Sequence, residues 1–236
     1  MTPRGYGGPM ELRDALRSTG SVRDYTDEPV DRATIWAILD DARFAPSGGN
    51  RQSWHVIVVE DPTRRKRLRD LYLDGWHDYV AHTLAGLVPF SPLASPEDRE
   101  LALQQRASAE ALSRPDGFAE TLHHAPVILL ITADLGALAA VDRDLDRYSM
   151  AGGASVYPFV WQIVLAARHY GLGGVMTTMA TRNEPDVLAE FAVPAGHAVA
   201  SVVALGHPVH RPTRLQRRDV ARFTTIDSFD GTALEP

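Results

Sequence analysis

Between Asp31 and Ala42 the apolar residues Ile35, Ile38, Leu39 and Ala42 recur at helical spacing, behind a plausible Asp31 N-cap and ahead of a stop at Pro46. A shorter helix containing Leu12, Ala15 and Leu16 precedes it. The period then changes. Trp54-His55-Val56-Ile57-Val58-Val59 is apolar and β-branched, which predicts a buried strand ending near Asp61-Pro62. Residues 63 to 121 are charged and helix-prone but broken at Pro89-Phe90-Ser91-Pro92 and Arg114-Pro115-Asp116-Gly117, so two helices around a flexible turn are expected there.

A continuous apolar run, Ala125 to Thr132, predicts a strand buried on both faces. From Ser155 to Tyr170 one helical stripe carries Val156, Phe159, Val160, Ile163, Val164 and Ala167, with Tyr157, Trp161 and Leu165 opposite. A helix apolar on both sides is buried on both sides, and its second face suits a homodimer interface. Gly171-Leu172-Gly173-Gly174 ends it and leads to a strand end at Val175–Met179. A short helix from Pro185 to Phe191, capped by Asn183 or Glu184, precedes a last core strand over Ala198–Leu205. Beyond Gly206-His207-Pro208 the tail is basic and irregular. With no internal repeat and no dividing linker, the pattern predicts one α+β domain over residues 1–236.

Composition narrows the function classes. A chain of 236 residues can bury a sizeable core, and 44% hydrophobic with 23% charged residues is ordinary globular usage. A net charge of −6 argues against nucleic acid or an anionic membrane as partner while allowing a local cationic pocket. Only Lys66 among the 24 basic residues is lysine, so arginines have to be judged by position. Absence of cysteine removes disulfides, thiolate nucleophiles and cysteine-held metals. Residues 1 to 8 carry no apolar signal core and no run reaches about 18 apolar residues, so a cytoplasmic location is the expectation.

Four segments carry candidate chemistry, each with an ordinary structural alternative. The loop Ala45-Pro46-Ser47-Gly48-Gly49-Asn50-Arg51-Gln52-Ser53-Trp54 offers close-approaching amides and short polar side chains to a flat polar ligand, or simply relieves strain after a helix. Arg17-Ser18-Thr19-Gly20-Ser21-Val22-Arg23 combines hydroxyls and guanidiniums suited to an anion, or is a solvated turn. Thr177-Thr178-Met179 is a strand end that could line a site or merely fill space, and Arg214-Leu215-Gln216-Arg217-Arg218 could bind an anion or be a solvated charge run. Other motifs fail on context. Gly171-Leu172-Gly173-Gly174 lacks the strand–turn–helix setting of a dinucleotide fingerprint. His123-His124 and His207-Pro208-Val209-His210 lack a third ligand, so no metal is expected. Ser47 has no evident His/Asp partnership.

Taken together, the order of these motifs resembles the FMN-dependent nitroreductase family. An amino-terminal Ser21-x-Arg23 is followed by a helix ending in Ala45-Pro46-Ser47-Gly48-Gly49-Asn50, then x-Gln52-x-Trp54 and a strand. The resemblance continues through Ala166-Ala167-Arg168-His169-Tyr170-Gly171-Leu172-Gly173, Ala204-Leu205-Gly206-His207-Pro208 and the basic pair before the tail. It implies a mainly antiparallel central sheet flanked by helices, a helical lid around residues 63–121, and a homodimer holding two flavins at its interface. It further implies that Gly20, Ser21, Val22 and Arg23 line FMN, with Ser21 toward the phosphate and Arg23 near the N1/O2 edge. Pro46, Ser47, Gly48 and Asn50 would hold ring and ribityl chain from the other side, Thr177, Thr178 and Met179 would lie near N5, and Arg217, with Arg218, would bind phosphate.

The implied activity is a ping-pong cycle in which NAD(P)H reduces the flavin and a nitroaromatic, quinone or similar small acceptor reoxidises it. No protein acid or base need be catalytic, because the cofactor carries the chemistry. Alternatives are a flavin-dependent reductive dehalogenase or flavin-modifying enzyme of the same fold, and a low-turnover flavin-storage protein. Trp76, Tyr79 and Phe118 are candidates to stack on the acceptor, or else they pack the lid. One departure stands out: Thr19 occupies a position where relatives often carry a cation, with Arg17 two residues upstream. Three outcomes are open: Thr19 donates a neutral hydrogen bond, Arg17 reaches around, or FMN binds more weakly.

Overall fold

A computed structural model describes residues 11–212 and 214–235; the amino-terminal segment read for a signal lies outside them. Four strands, β1 (Trp54–Val58), β2 (Val127–Asp134), β3 (Gly173–Thr177) and β4 (His197–Gly206), form one sheet in the order β1-β2-β4-β3, with every pairing antiparallel. Helices α1 (Leu12–Ser18), α2 (Arg32–Ala42) and α7 (Tyr157–His169) belong to one part of the molecule. Helices α3 (Pro62–Leu84), α4 (Pro96–Gln104), α5 (Arg106–Ala111), α6 (Phe118–Thr121) and α8 (Glu184–Glu190) make up the rest.

The sheet is the middle layer, and alternation along β2 shows why. Val127, Leu129, Ile131 and Ala133 join a core with Ile35 and Ile38 of α2 and Phe159, Val160 and Ile163 of α7. Ile128 and Leu130 face the other way, into a core with Leu68, Leu71 and Tyr72 of α3, Leu122, Val187 and Phe191. Both faces being covered, β2 is buried from Val127 to Ala133, as its apolar run predicts.

Three expectations need correction. The Trp54 run forms β1, but it is an edge strand that pairs with β2 alone, and His55 and Val58 are exposed. The region after residue 62 holds four helices rather than two. Asp61 caps α3 by accepting from Arg64 N at 2.9 Å, Pro62 occupies its first turn, and the helix then runs 23 residues to Leu84. Ser95 and Asp98 form a capping box that starts α4 afresh beyond the Pro89–Pro92 turn. Finally, Asn183 precedes α8 without capping it: its side-chain amide donates to Leu71 O and to Asp74 Oδ2, both at 2.9 Å, tying α3 to the turn Met179–Asn183.

The α7 stripe is buried as its periodicity predicts, whereas Tyr157 and Trp161 on its other face remain partly exposed. Gly171 closes the helix at φ 78°, with Leu172 N donating to Ala167 O at 2.9 Å. Gly75 serves packing rather than a turn, because a Cβ there would stand 2.4 Å from Met179 O, and only glycine lets α3 lie on the turn that carries Met179. Gly75→Ala is therefore expected to cost about 1–3 kcal/mol, read as a lowered denaturation midpoint. An unchanged midpoint would show that the two segments separate without cost.

Candidate cofactor site

Residues 19–23 leave α1 as an extended strip along the edge of the sheet. Ser21 bridges Gly174 in parallel register, and Val22 N donates to Gly174 O at 2.9 Å. Val22 is buried in the space that Gly173 leaves open, since a Cβ on Gly173 would meet it at 2.7 Å. Ser21 and Arg23 consequently face outward on either side of a fixed residue. Among the described residues Arg23 has no hydrogen bond or ion pair, and it helps line a cavity of 610 Å³.

That cavity is the aromatic part of the site. Tyr72, Trp76, Tyr79 and Val80 of α3 line it with Phe118 and Glu120 of α6, Thr177 and Met179. Trp76 and Tyr79 stack with ring centroids 5.2 Å apart and planes within 7°, while Phe118 meets Tyr72 edge-on at 6.1 Å. Thr177 Oγ1 donates to the Tyr72 hydroxyl at 3.1 Å, and burial raises the Tyr72 pKa, which keeps it a neutral phenol. The lid aromatics thus line a cavity and do not simply pack the lid helices.

A second cavity, of 700 Å³, lies at the start of the same strip. Arg17, Arg214, Arg217 and Arg218 line it together with Leu16, Leu215, Val220 and Phe223, and no acidic residue is among its lining. Among the described residues this cavity gathers four arginines and no carboxylate, in a protein whose net charge is −6. The buried Thr19 hydroxyl donates to Ala15 O at 2.7 Å, so its proton is spent, whereas Arg17 joins Arg217 and Arg218. The tail packs closely on Gly20, where a Cβ would stand 2.9 Å from Leu215 Cδ2 and 3.2 Å from Pro212.

Pro46, Ser47, Gly48 and Asn50 do not join these residues within one chain. They precede β1 at one edge of the sheet, while Ser21–Arg23 and Thr177 belong to the opposite edge. Three strand spacings separate the edges, roughly 14 Å, and the loop lies a further three or more residues, about 10 Å, along from Ile57, which shares a row with Thr177. The loop is nevertheless well built. Gly48 N donates to Ser155 Oγ and Gln52 N to Ser47 Oγ, each at 3.0 Å, and Gly49, Asn50 and Gln52 all have φ between 49° and 60°. Such left-handed backbone at non-glycine residues is held against strain, here with Asn50 and Gln52 exposed. Thr178 also stays outside the cavity lining; it opens the turn Met179–Asn183, its carbonyl accepting from Thr181 Oγ1 at 2.7 Å.

Sequence reasoning missed Tyr72, Arg114 and Glu120 as cavity residues. A signal for Tyr72 exists in the helical spacing, since positions 72, 76 and 79 share one stripe with the aromatics Trp76 and Tyr79. Helix α5 is fastened to α3 by Arg106, whose guanidinium meets Asp74, Asp78 and Glu110. Replacing Arg106 by Ala leaves the half-buried Asp78 with only the longer Arg182 pair at 3.6 Å. We expect a loss of about 1–3 kcal/mol and faster amide exchange confined to residues 96–111. Uniformly unchanged exchange would show that apolar contact alone holds the lid.

The chain is 29% identical to an NADH dehydrogenase of Thermus thermophilus over 210 residues, 84% of this chain and 87% of that protein. It is 27% identical to a 4-nitrobenzoate reductase of a Nocardioides species over 208 residues, 84% of this chain and 81% of that one. The crystal structure of a BluB-like flavoprotein from Clostridium difficile 630 superposes with a TM-score of 0.65 at 18% identity, covering 93% of this chain and all of that one. The α+β sheet with its two helical layers is the same fold. Because the model of the Nitroreductase family matches residues 16–207, most of the chain, this protein belongs to the nitroreductase family of oxidoreductase enzymes.

Proposed function

We propose that this protein binds FMN and passes electrons from NAD(P)H to a nitroaromatic, quinone or similar small acceptor by a ping-pong cycle. The observation that carries the reading is the pairing of an aromatic cavity with one that gathers four arginines, joined by the end of α1 and the strip 19–23. The donor set suits FMN. Arg17, Arg217 and Arg218 would take the phosphate, Gly20 and Ser21 the ribityl chain, and Arg23, Thr177 and Met179 the ring, close to the acceptor platform of Trp76, Tyr79 and Phe118. When bound, FMN supplies the hydride chemistry at its N5. The protein binds and orients: Arg23 places an unpaired cation where negative charge gathers on reduction, and the neutral Tyr72 fixes Thr177.

The separation of the Pro46–Asn50 loop from Arg23 supports a homodimer. In this reading the loop of one protomer closes the flavin cavity of its partner, so that two chains complete two sites. Exposed Trp36 and Phe44 on and after α2, together with the half-exposed face of α7, supply apolar surface for that contact. Relatives named for NADH and nitrobenzoate chemistry support the donor and acceptor classes.

Steady-state kinetics test the activity. NADH or NADPH oxidation by the FMN-loaded protein should rise when a nitroaromatic or quinone is added, with parallel double-reciprocal lines as donor and acceptor are varied. Oxidation that stays slow with every acceptor would point to flavin storage instead.

A further inference from the structure

One cation of the aromatic cavity remains after Arg23 is given to the flavin, and its mounting is unusually complete. Arg114 lines the cavity from the turn Arg114-Pro115-Asp116-Gly117, in which Gly117 N donates back to Arg114 O at 2.7 Å. Proline in the second position and glycine in the fourth are the residues this turn favours. Glu120 anchors it from inside: Oε1 accepts from Ser113 Oγ at 2.5 Å and from Arg114 N at 2.9 Å. The clamp needs Gly117, since a Cβ there would stand 2.4 Å from Glu120 Oε2 and 3.0 Å from Arg114 O.

The backbone of Arg114 is therefore fixed, while its guanidinium is only loosely engaged. Its one ion pair, with Asp116 at 3.3 Å, joins side chains that are 77% and 76% exposed. A pair so exposed contributes little and yields to a better partner. Glu120 is the one acidic residue lining the cavity, and its Oε1 is already committed to the turn. Arg114 thus lines the same cavity as the stacked Trp76 and Tyr79, a forked cation without a strong partner.

Building on the proposed FMN-dependent activity, we infer that the preferred acceptors are aromatic carboxylates, with the ring on Trp76, Tyr79 and Phe118 and the carboxylate on the Arg114 guanidinium. A carboxylate accepts the two parallel donors of that fork, whereas a neutral acceptor gains only the stacking. Arg114 is then the residue that sets acceptor specificity, and it does so through binding.

The test compares 4-nitrobenzoate with its methyl ester, using the FMN-loaded protein and a neutral quinone as reference. The acid is expected to exceed the ester by about tenfold or more in kcat/KM, through KM. In Arg114→Gln the acid-to-ester ratio should fall about tenfold, and Arg114→Lys should recover part of it. Calorimetric titration with benzoate and benzamide, neither of which turns over, should show the same preference and the same loss in Arg114→Gln. Equal use of acid and ester, or a ratio and a benzoate affinity unchanged in Arg114→Gln, would overturn the inference. Failure to reduce the quinone as well would instead strike the proposed activity, and the benzoate titration would still decide the role of Arg114.

Discussion

Replacing Arg23 by Ala should weaken FMN binding by about 10- to 100-fold, the usual worth of a charge-assisted hydrogen bond in a partly enclosed site. Since Arg23 has no hydrogen-bonding or ion-pair partner among the described residues, the fold should be untouched, with an unchanged unfolding midpoint in the absence of flavin. The second consequence concerns redox poise. Reduction gathers negative charge at the N1/O2 edge, where the proposal sets this cation, so its loss disfavours the reduced form. A differential interaction of about 1.4 kcal/mol corresponds to about 30 mV in a two-electron couple, and the midpoint potential should move that far in the negative direction. Unchanged affinity and potential would refute the role assigned to Arg23.

The other large effect tests the assembly. Asn50→Asp keeps a residue that tolerates the φ of 54° found there but puts a carboxylate on the loop that the proposal sets against the partner's flavin. Homodimers of Asn50→Asp and of Arg23→Ala should each bind FMN poorly. Mixed dimers place both defects in one site and neither in the other, so random co-assembly should restore tight binding at about one site in four. If loop and arginine served the same flavin from a single chain, mixing would restore nothing. Arg217→Ala should also lower FMN affinity, but less, because Arg17 and Arg218 share its cavity.

Local patterns carried much of the fold into view. The β2 run, the α7 stripe and the Gly171 stop are each settled by residues within a turn or two of one another, and the structure reproduces them. What escaped depended on distant neighbours. Whether the Trp54 run is a central or an edge strand turns on what pairs with its far side, which no property of residues 54–59 encodes. The packing of α3 on the Met179 turn hinges on Gly75, and its reason, Met179 O pressed against the position of a Cβ, lies more than 100 residues away in the chain. Arg23, Thr177, Met179, Trp76, Tyr79 and Phe118, singled out from motif order and residue type, line one cavity. Motif order could not show that the glycine loop lies at the opposite edge of the sheet, because order along a chain does not encode which strands become the sheet's two edges. The fate of Thr19 was equally hidden: its hydroxyl is consumed by Ala15 O, a helix-end hydrogen bond that the choice of threonine alone does not announce.

All of these readings rest on a flavin site, and the absorbance spectrum of the purified protein tests that most directly. A flavin spectrum, with FMN as the molecule released on heating and one FMN per chain after saturation, is the expected result. Colourless protein that takes up no added FMN would contradict it.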